Sequence, residues 1–215
     1  MNAGIQQASR QAPASPLPTS WLGRADSPLP IADWAVIPAL SETQHRNLLA
    51  QIAYVSSAWS YSRIGTANEL GRYQFSTTLL EEYYFLTTGS NASYGTDCVN
   101  YQHCWRGAIN SYANYQLDVT NLQDFLNKTS AQEDLAQQRL LDLYTQCTKI
   151  NVIQGNDASD VVAGMLYVAW SLGVGSAPTF NNSTGTGAYA WRYSNIGNGA
   201  PYYNAGRYSV TVLSK

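Results

Sequence analysis

The stretch Glu69-Leu-Gly-Arg-Tyr-Gln-Phe75 lies between two runs of helical periodicity. In the run before it, Leu48, Ile52 and Val55 recur at spacings of four and three residues, which predicts one apolar helix face. Inside the stretch, a glycine turn separates a single carboxylate from an apolar Tyr-Gln-Phe segment. The sequence therefore predicts a mainly α-helical body in which this loop joins the first two helices.

Capping signals and apolar periodicity predict further helices. Ser41 with Gln44, and Ser130 with Glu133, have the spacing of a capping box. The second box is expected to open a long helix that ends near Gly155. The run 161–172, which opens after Asp157, is apolar on nearly all sides and is expected to be the central helix. Shorter helices are predicted at 78–86, 121–126 and 204–213, and long polar loops at 87–104 and 173–203.

The first 40 residues differ in composition from the rest, and six of the eight prolines precede Leu40. Proline-rich chain favours extended conformations. The segment also contains Trp21 and Trp34, which are too apolar for a plain linker. We therefore predict two parts: an extended arm over residues 1–40 that docks on neighbouring molecules, and a helical domain over residues 41–215.

The composition excludes several classes of partner. Only 12% of residues are charged and the net charge is −2, with no basic cluster, so a nucleic-acid partner is not expected. No apolar run approaches the roughly 20 residues of a membrane span. The 16 tyrosines and six tryptophans indicate core and interface packing, with platforms for sugar rings as the alternative.

The cysteines leave three interpretations open. Cys98 and Cys104 are close enough in sequence to close a small disulfide loop, and free thiols are the second possibility. A metal site would recruit His103 and Asp97, although zinc sites usually show tighter cysteine spacing. Cys147 falls in a helical pattern and is predicted to be a buried thiol.

The segment from Gln51 to Phe75 resembles the lysozyme-like, lytic-transglycosylase-like domains of phage tails and peptidoglycan hydrolases. Those domains have a helix that ends in Glu-Ser, an aromatic residue, a glycine-containing loop and then Gly-x-Tyr-Gln-Phe. The run 163–175 is similar to the central helix that closes their cleft. The resemblance covers roughly residues 42–213, and the nearest comparison is with virion proteins of myoviruses, especially cyanophages. It implies a lysozyme-like fold in which Tyr73 and Gln74 line a glycan cleft.

One departure from that pattern bears on activity. The resemblance places the catalytic glutamate where this chain has Ser56, followed by Ser57, so the general acid is absent. A serine hydroxyl has no proton to give near neutral pH, and loss of a positioned acid costs about 10²–10⁴-fold in rate. Glu69 is a candidate substitute acid. Its alternative interpretation is a loop residue that caps the backbone or pairs with Arg63 or Arg72.

The resemblance therefore implies a structural virion protein of a phage tail or baseplate that has lost its catalytic acid. Its expected partners are other tail or baseplate subunits, with peptidoglycan as a further possible ligand. The alternatives are an active peptidoglycan-cleaving muramidase or lytic transglycosylase that uses Glu69, and a non-catalytic glycan-binding module. No phosphate loop, Ser-His-Asp order or metal-ligand cluster is visible, so no cofactor is expected.

Overall fold

The computed structural model describes residues 28–112, 115–175, 187–194 and 199–212. Over these residues the protein is mainly α-helical, which confirms the prediction of a mainly α-helical body, and the strands form a single antiparallel pair. The helices are α1 (Glu42–Ser57), α2 (Thr77–Glu82), α3 (Ser90–Tyr94), α4 (Leu122–Asn127), α5 (Thr129–Lys149), α6 (Ser159–Leu172), α7 (Ala188–Ser194) and α8 (Ala200–Thr211), and the strands are β1 (Gly107–Tyr112) and β2 (Tyr115–Val119).

Helix α1 begins as its sequence predicts. The Ser41 hydroxyl accepts the N–H of Gln44, and the Gln44 side chain accepts the N–H of Ser41. This reciprocal pair satisfies two of the amide donors that a helix start leaves unbonded. The helix ends at Ser57, because Ala58 adopts a left-handed conformation with φ of 54°.

Helix α5 does not begin with the predicted capping box. It starts at Thr129, and Lys128 at the N-cap makes no side-chain capping bond. Glu133 instead turns into the interior, where it is fully buried. The helix ends at Lys149, several residues before Gly155, so both the predicted start and the predicted end were wrong.

Helix α6 is central, as its sequence predicts. It packs most extensively against α8 and also contacts α1, α5 and α7. Close approach to α8 depends on two glycines: a Cβ on Gly206 would lie 2.5 Å from the Ala163 carbonyl oxygen, and one on Gly164 would lie 2.5 Å from the Tyr203 ring. The small residues of α6 therefore do permit close helix contact.

Residues 28–40, the described part of the predicted arm, pack on the helical body of the same molecule. Ile37 and Leu40 are buried in the core. The Gln137 side chain on α5 accepts the N–H of Ala32 at 2.9 Å and donates to the Pro30 carbonyl at 3.1 Å. Packing thus continues across the predicted boundary at residue 40, and residues 1–27 of the arm lie outside the described residues.

The two predicted polar loops contain short elements. The first, at 87–104, holds α3 and two 3₁₀ turns, Gly95–Asn100 and Gln102–Cys104. The second includes α7 and the start of α8, while residues 176–186 and 195–198 lie outside the described residues. The β1–β2 hairpin was not predicted. Among the helices that the structure describes, none is long and apolar enough to cross a membrane.

Candidate functional site

The loop that carries the Gly-Arg-Tyr-Gln-Phe segment is closed by its own backbone. Leu70 and Phe75 exchange two N–H···O bonds, each 2.9 Å long. Between them the chain turns at Gly71, with φ of 73°, and at Gln74, with φ of 52°. A Cβ at Gly71 would lie 2.1 Å from the Gln132 side-chain oxygen, so this position requires glycine both for its conformation and for space.

Arg72 points from this turn into the protein interior. Its Nε lies 3.3 Å from Glu133 Oε1 on α5, and neither side chain has any exposed surface. The Tyr61 ring covers the guanidinium at 4.8 Å, within the range of a cation–π contact. A charge removed from water in this way needs a partner of opposite sign, and Glu133 supplies it.

Two tyrosine hydroxyls complete the surroundings of Glu133. Tyr61 donates to Oε1 at 2.7 Å and Tyr73 donates to Oε2 at 2.8 Å. Burial raises the pKa of Glu133, while Arg72 and the two hydroxyls oppose the rise. Burial and the neighbouring carboxylate raise the pKa of both tyrosines, so each hydroxyl stays protonated and remains a donor.

Gln132 on α5 ties the same loop to the core backbone. Its side-chain oxygen accepts the N–H of Arg72 at 2.8 Å. Its amide group donates to the carbonyls of Tyr61 and Phe125 at 3.1 and 3.0 Å. Together Gln132 and Glu133 fix both the backbone and the side chains of the turn, which explains why a polar pair is buried at this point of α5.

Glu69, the candidate acid, acts as a cap within its own loop. Its Oε2 accepts the N–H of Ala67 at 3.0 Å, and the carboxylate folds over Gly65. Its side chain is half-buried. The structure therefore agrees with the capping interpretation, and Arg72 pairs with Glu133 rather than with Glu69.

Ser56 and Ser57 occupy the last turn of α1 and differ in their surroundings. Ser57 is buried, and its hydroxyl lies 2.6 Å from the Arg72 carbonyl and 3.2 Å from the Ala53 carbonyl. Ser56, where the resemblance places the catalytic acid, is half-buried. The end of α1 is thus bonded to the Arg72 turn through Ser57.

The two residues predicted to line a glycan cleft are used internally. Tyr73 has no exposed surface, so a glycan could reach it only after a rearrangement of the core. The Gln74 amide donates to the carbonyls of Gly71 and Arg63 at 2.8 and 3.2 Å, which braces the loop. Glu69, Tyr73 and Gln74 therefore belong to one loop. Ser56 lies on α1, which is hydrogen-bonded to that loop through Ser57.

The three cysteines are buried free thiols in this structure. The Cys98 thiol lies 3.4 Å from the Asn91 side-chain oxygen. Over residues 28–112, 115–175, 187–194 and 199–212, no group of three or more histidine, cysteine or acidic side chains is placed to hold a metal ion. Cys147 is buried on α5, as predicted.

Sequence reasoning missed Glu133 as the centre of this network. A signal was available, because Glu133 falls in register with Ala136, Leu140 and Leu143, which form the buried face of α5. A carboxylate in line with an apolar stripe indicates a buried charge partner elsewhere in the chain. Comparisons with protein-family models, with curated protein sequences and with solved structures identified no match for this chain.

Proposed function

We propose that this protein is a structural, non-catalytic subunit of a phage tail or baseplate, with a lysozyme-like helical body that has lost its general acid. The observation that carries the proposal is the internal use of the Gly-Arg-Tyr-Gln-Phe segment. Arg72 and Tyr73 are buried against Glu133, and Gln74 braces its own turn. The segment stabilises the fold, while a serine stands at the position of the acid.

The chemistry of glycoside cleavage supports the non-catalytic part of the proposal. Cleavage needs a carboxylic acid that can protonate the leaving oxygen. Ser56 cannot take that role, and the Glu69 carboxylate is engaged with the Ala67 amide. Glu133 has no exposed surface and is enclosed by Arg72 and two tyrosines, so a glycan cannot reach it.

The composition of the chain supports the structural part of the proposal. A chain with 12% charged residues and 16 tyrosines is suited to surfaces that neighbouring subunits cover, because interface centres are depleted in charge and enriched in aromatic residues. Val36, Ile64 and Tyr84 are large apolar side chains exposed on the described surface. The partners proposed are therefore other tail or baseplate subunits, in the virion.

Clearance of a peptidoglycan suspension tests the non-catalytic part. The purified protein is expected to leave the turbidity unchanged under conditions in which an active lysozyme clears it. Glu69→Gln is expected to behave as the wild type does. Clearance by the wild type that falls tenfold or more in Glu69→Gln would assign the acid to Glu69 and overturn the proposal.

The location of the protein tests the structural part separately. Mass spectrometry of purified virions from the phage that encodes the chain is expected to detect it at a fixed ratio to the tail subunits. Detection only in the lysate, with none in gradient-purified particles or isolated tails, would contradict a place in the assembly, whatever the turbidity assay shows.

A further inference from the structure

Three aromatic side chains form an exposed group on the segment from α3 to the second 3₁₀ turn. The ring centroids of Tyr94 and Tyr101 are 5.3 Å apart, those of Tyr94 and His103 are 5.1 Å apart, and those of Tyr101 and His103 are 5.7 Å apart. Tyr94 keeps 44% and Tyr101 45% of its surface exposed, and His103 is also exposed. We call these three residues the aromatic triad.

The segment beneath the aromatic triad is held by buried contacts. The Trp105 indole donates to the Val99 carbonyl at 2.9 Å, and both residues are buried. The Glu81 carboxylate accepts the N–H groups of Gly89 and Asn91 at the start of α3. The rings are therefore presented by a supported backbone, which limits the ordering cost of binding.

The segment that carries the aromatic triad also carries uncharged polar side chains. Thr96, Asn100 and Gln102 are exposed in the same segment, and Asp97 is its one acidic residue. The Asn68 amide donates to the Thr96 carbonyl at 3.0 Å and to Asp97 Oδ1 at 3.2 Å, which ties this segment to the Glu69 loop. Apolar ring surface and hydrogen-bonding groups thus lie within a few residues of each other.

The size of the aromatic surface distinguishes between kinds of ligand. A tyrosine side chain has roughly 150–250 Å² of surface area. Three half-exposed rings therefore present on the order of 250 Å² of that surface to solvent. A stable protein–protein interface needs about 800 Å² on each partner. The aromatic triad is therefore too small for a subunit contact by itself, and it matches the area of one or two sugar rings.

We propose that Tyr94, Tyr101 and His103 form a binding site for a neutral glycan. The apolar C–H face of a pyranose packs against the electron-rich face of an aromatic ring, while its hydroxyl groups remain at the edge. The exposed amide and hydroxyl groups beside the aromatic triad can bond to those hydroxyls. The exposed Asp97 carboxylate in the same segment disfavours an anionic glycan, so a neutral sugar fits better.

Calorimetric titration of the full chain tests the site, with three hexasaccharides as probes: β1,4-linked N-acetylglucosamine, cellohexaose and maltohexaose. At least one of them is expected to bind at millimolar concentration or below. Tyr94→Ala and Tyr101→Ala are each expected to weaken that binding tenfold or more, since each removes a stacking face. Tyr101→Phe keeps the ring and is expected to stay within threefold of the wild type.

Tyr84→Ala is the matched control, because Tyr84 is 40% exposed but stacks on Arg106 instead of the aromatic triad. It is expected to bind the probe as the wild type does. Failure of all three hexasaccharides to bind would overturn the proposal, as would unchanged binding in Tyr101→Ala. Self-association that Tyr101→Ala abolishes, without glycan binding, would assign the surface to a second copy of the chain. None of these results depends on the turbidity or virion experiments.

Discussion

Arg72 Nε lies 3.3 Å from Glu133 Oε1, and both side chains are completely buried although their residues are far apart in the sequence. The pair joins the turn after α1 to the first turns of α5. Tyr61 and Tyr73 donate to the same carboxylate, one to each of its oxygens. This network favours one relative position of turn and helix, because the Arg72 charge and the two tyrosine hydroxyls share Glu133 as their common partner.

Glu133→Gln is expected to lower the free energy of unfolding by about 3–5 kcal/mol, since it leaves the Arg72 guanidinium buried without a counter-charge. Urea unfolding followed by circular dichroism measures the change. Replacement of both partners, Arg72→Met with Glu133→Leu, is expected to recover only part of that loss, because it removes the buried charges but also removes the acceptor of the Tyr61 and Tyr73 hydroxyls.

Glu82→Gln provides the matched control for this prediction. Glu82 lies 3.6 Å from Arg139, but its side chain is 55% exposed, so the substitution is expected to cost less than about 1 kcal/mol. Equal losses in Glu133→Gln and Glu82→Gln would show that the buried pair contributes no more than a surface ion pair.

The helical class and the start of α1 could be predicted because they depend on local signals. The Ser41 and Gln44 side chains bond to backbone groups three residues away, and that distance is visible in the sequence. The same spacing at Ser130 and Glu133 was misleading, since Glu133 has a tertiary alternative in Arg72. Its hydrogen bonds to two tyrosines and its ion pair outweigh a cap worth about 1 kcal/mol.

The candidate site was harder to predict for a related reason. Sequence reasoning grouped Glu69, Tyr73 and Gln74 correctly, because they lie on one short loop. It could not tell which of their side chains face solvent, since that depends on Gln132 and Glu133, which come from a distant helix. Tertiary contacts determine which way a loop side chain points. The sequence of a loop has no periodic pattern, such as that of a helix, from which its buried side could be predicted.

Acidification is expected to destabilise the protein through His45. The His45 side chain is buried on α1, its Nε2 has no hydrogen-bond partner among the described residues, and burial lowers its pKa to about 4. Between its unfolded pKa of about 6.5 and its folded value, only the unfolded chain binds the proton. Stability from this residue is therefore present above about pH 6.5 and is lost as the pH falls towards 4.

The loss attributable to His45 is expected to be about 2–3 kcal/mol between about pH 7.5 and pH 4.5. Urea midpoints of the wild type and of His45→Gln at both pH values isolate this contribution, because the carboxylates are the same in both proteins. His103→Gln, at an exposed position, is expected to follow the wild type. Parallel pH dependence in wild type and His45→Gln would contradict the assignment.

The cysteines are expected to react slowly in the folded protein. Burial raises the pKa of Cys98 to about 11 and that of Cys147 to about 12, so little of the reactive thiolate is present near pH 8. Labelling with iodoacetamide, followed by mass spectrometry, is expected to be at least about a hundredfold slower in buffer than in urea. Without reductant, the unfolded chain is expected to show three free thiols. A count of one would instead show a disulfide, and mapping of the labelled peptide would test whether it joins Cys98 and Cys104.

The close contact between α6 and α8 predicts that Gly206→Ala destabilises the protein, whereas Gly155→Ala does not. In a helix, replacement of glycine by alanine normally adds about 1 kcal/mol of stability. At Gly206 the new Cβ would lie 2.5 Å from the Ala163 carbonyl oxygen, a backbone atom of the central helix that cannot turn aside. Overpacking of this kind costs about 1–3 kcal/mol. Gly206→Ala is therefore expected to lower the thermal midpoint of unfolding despite its better helix propensity.

Gly155→Ala is the control, because a Cβ at Gly155 meets no atom within 4 Å and the residue lies outside the helices. This substitution is expected to leave stability unchanged or to raise it by about 0.4–1 kcal/mol through the unfolded chain. A Gly206→Ala protein that is as stable as Gly155→Ala would mean that α6 and α8 separate readily. The close packing of the two helices would then not be what holds α8 on the core.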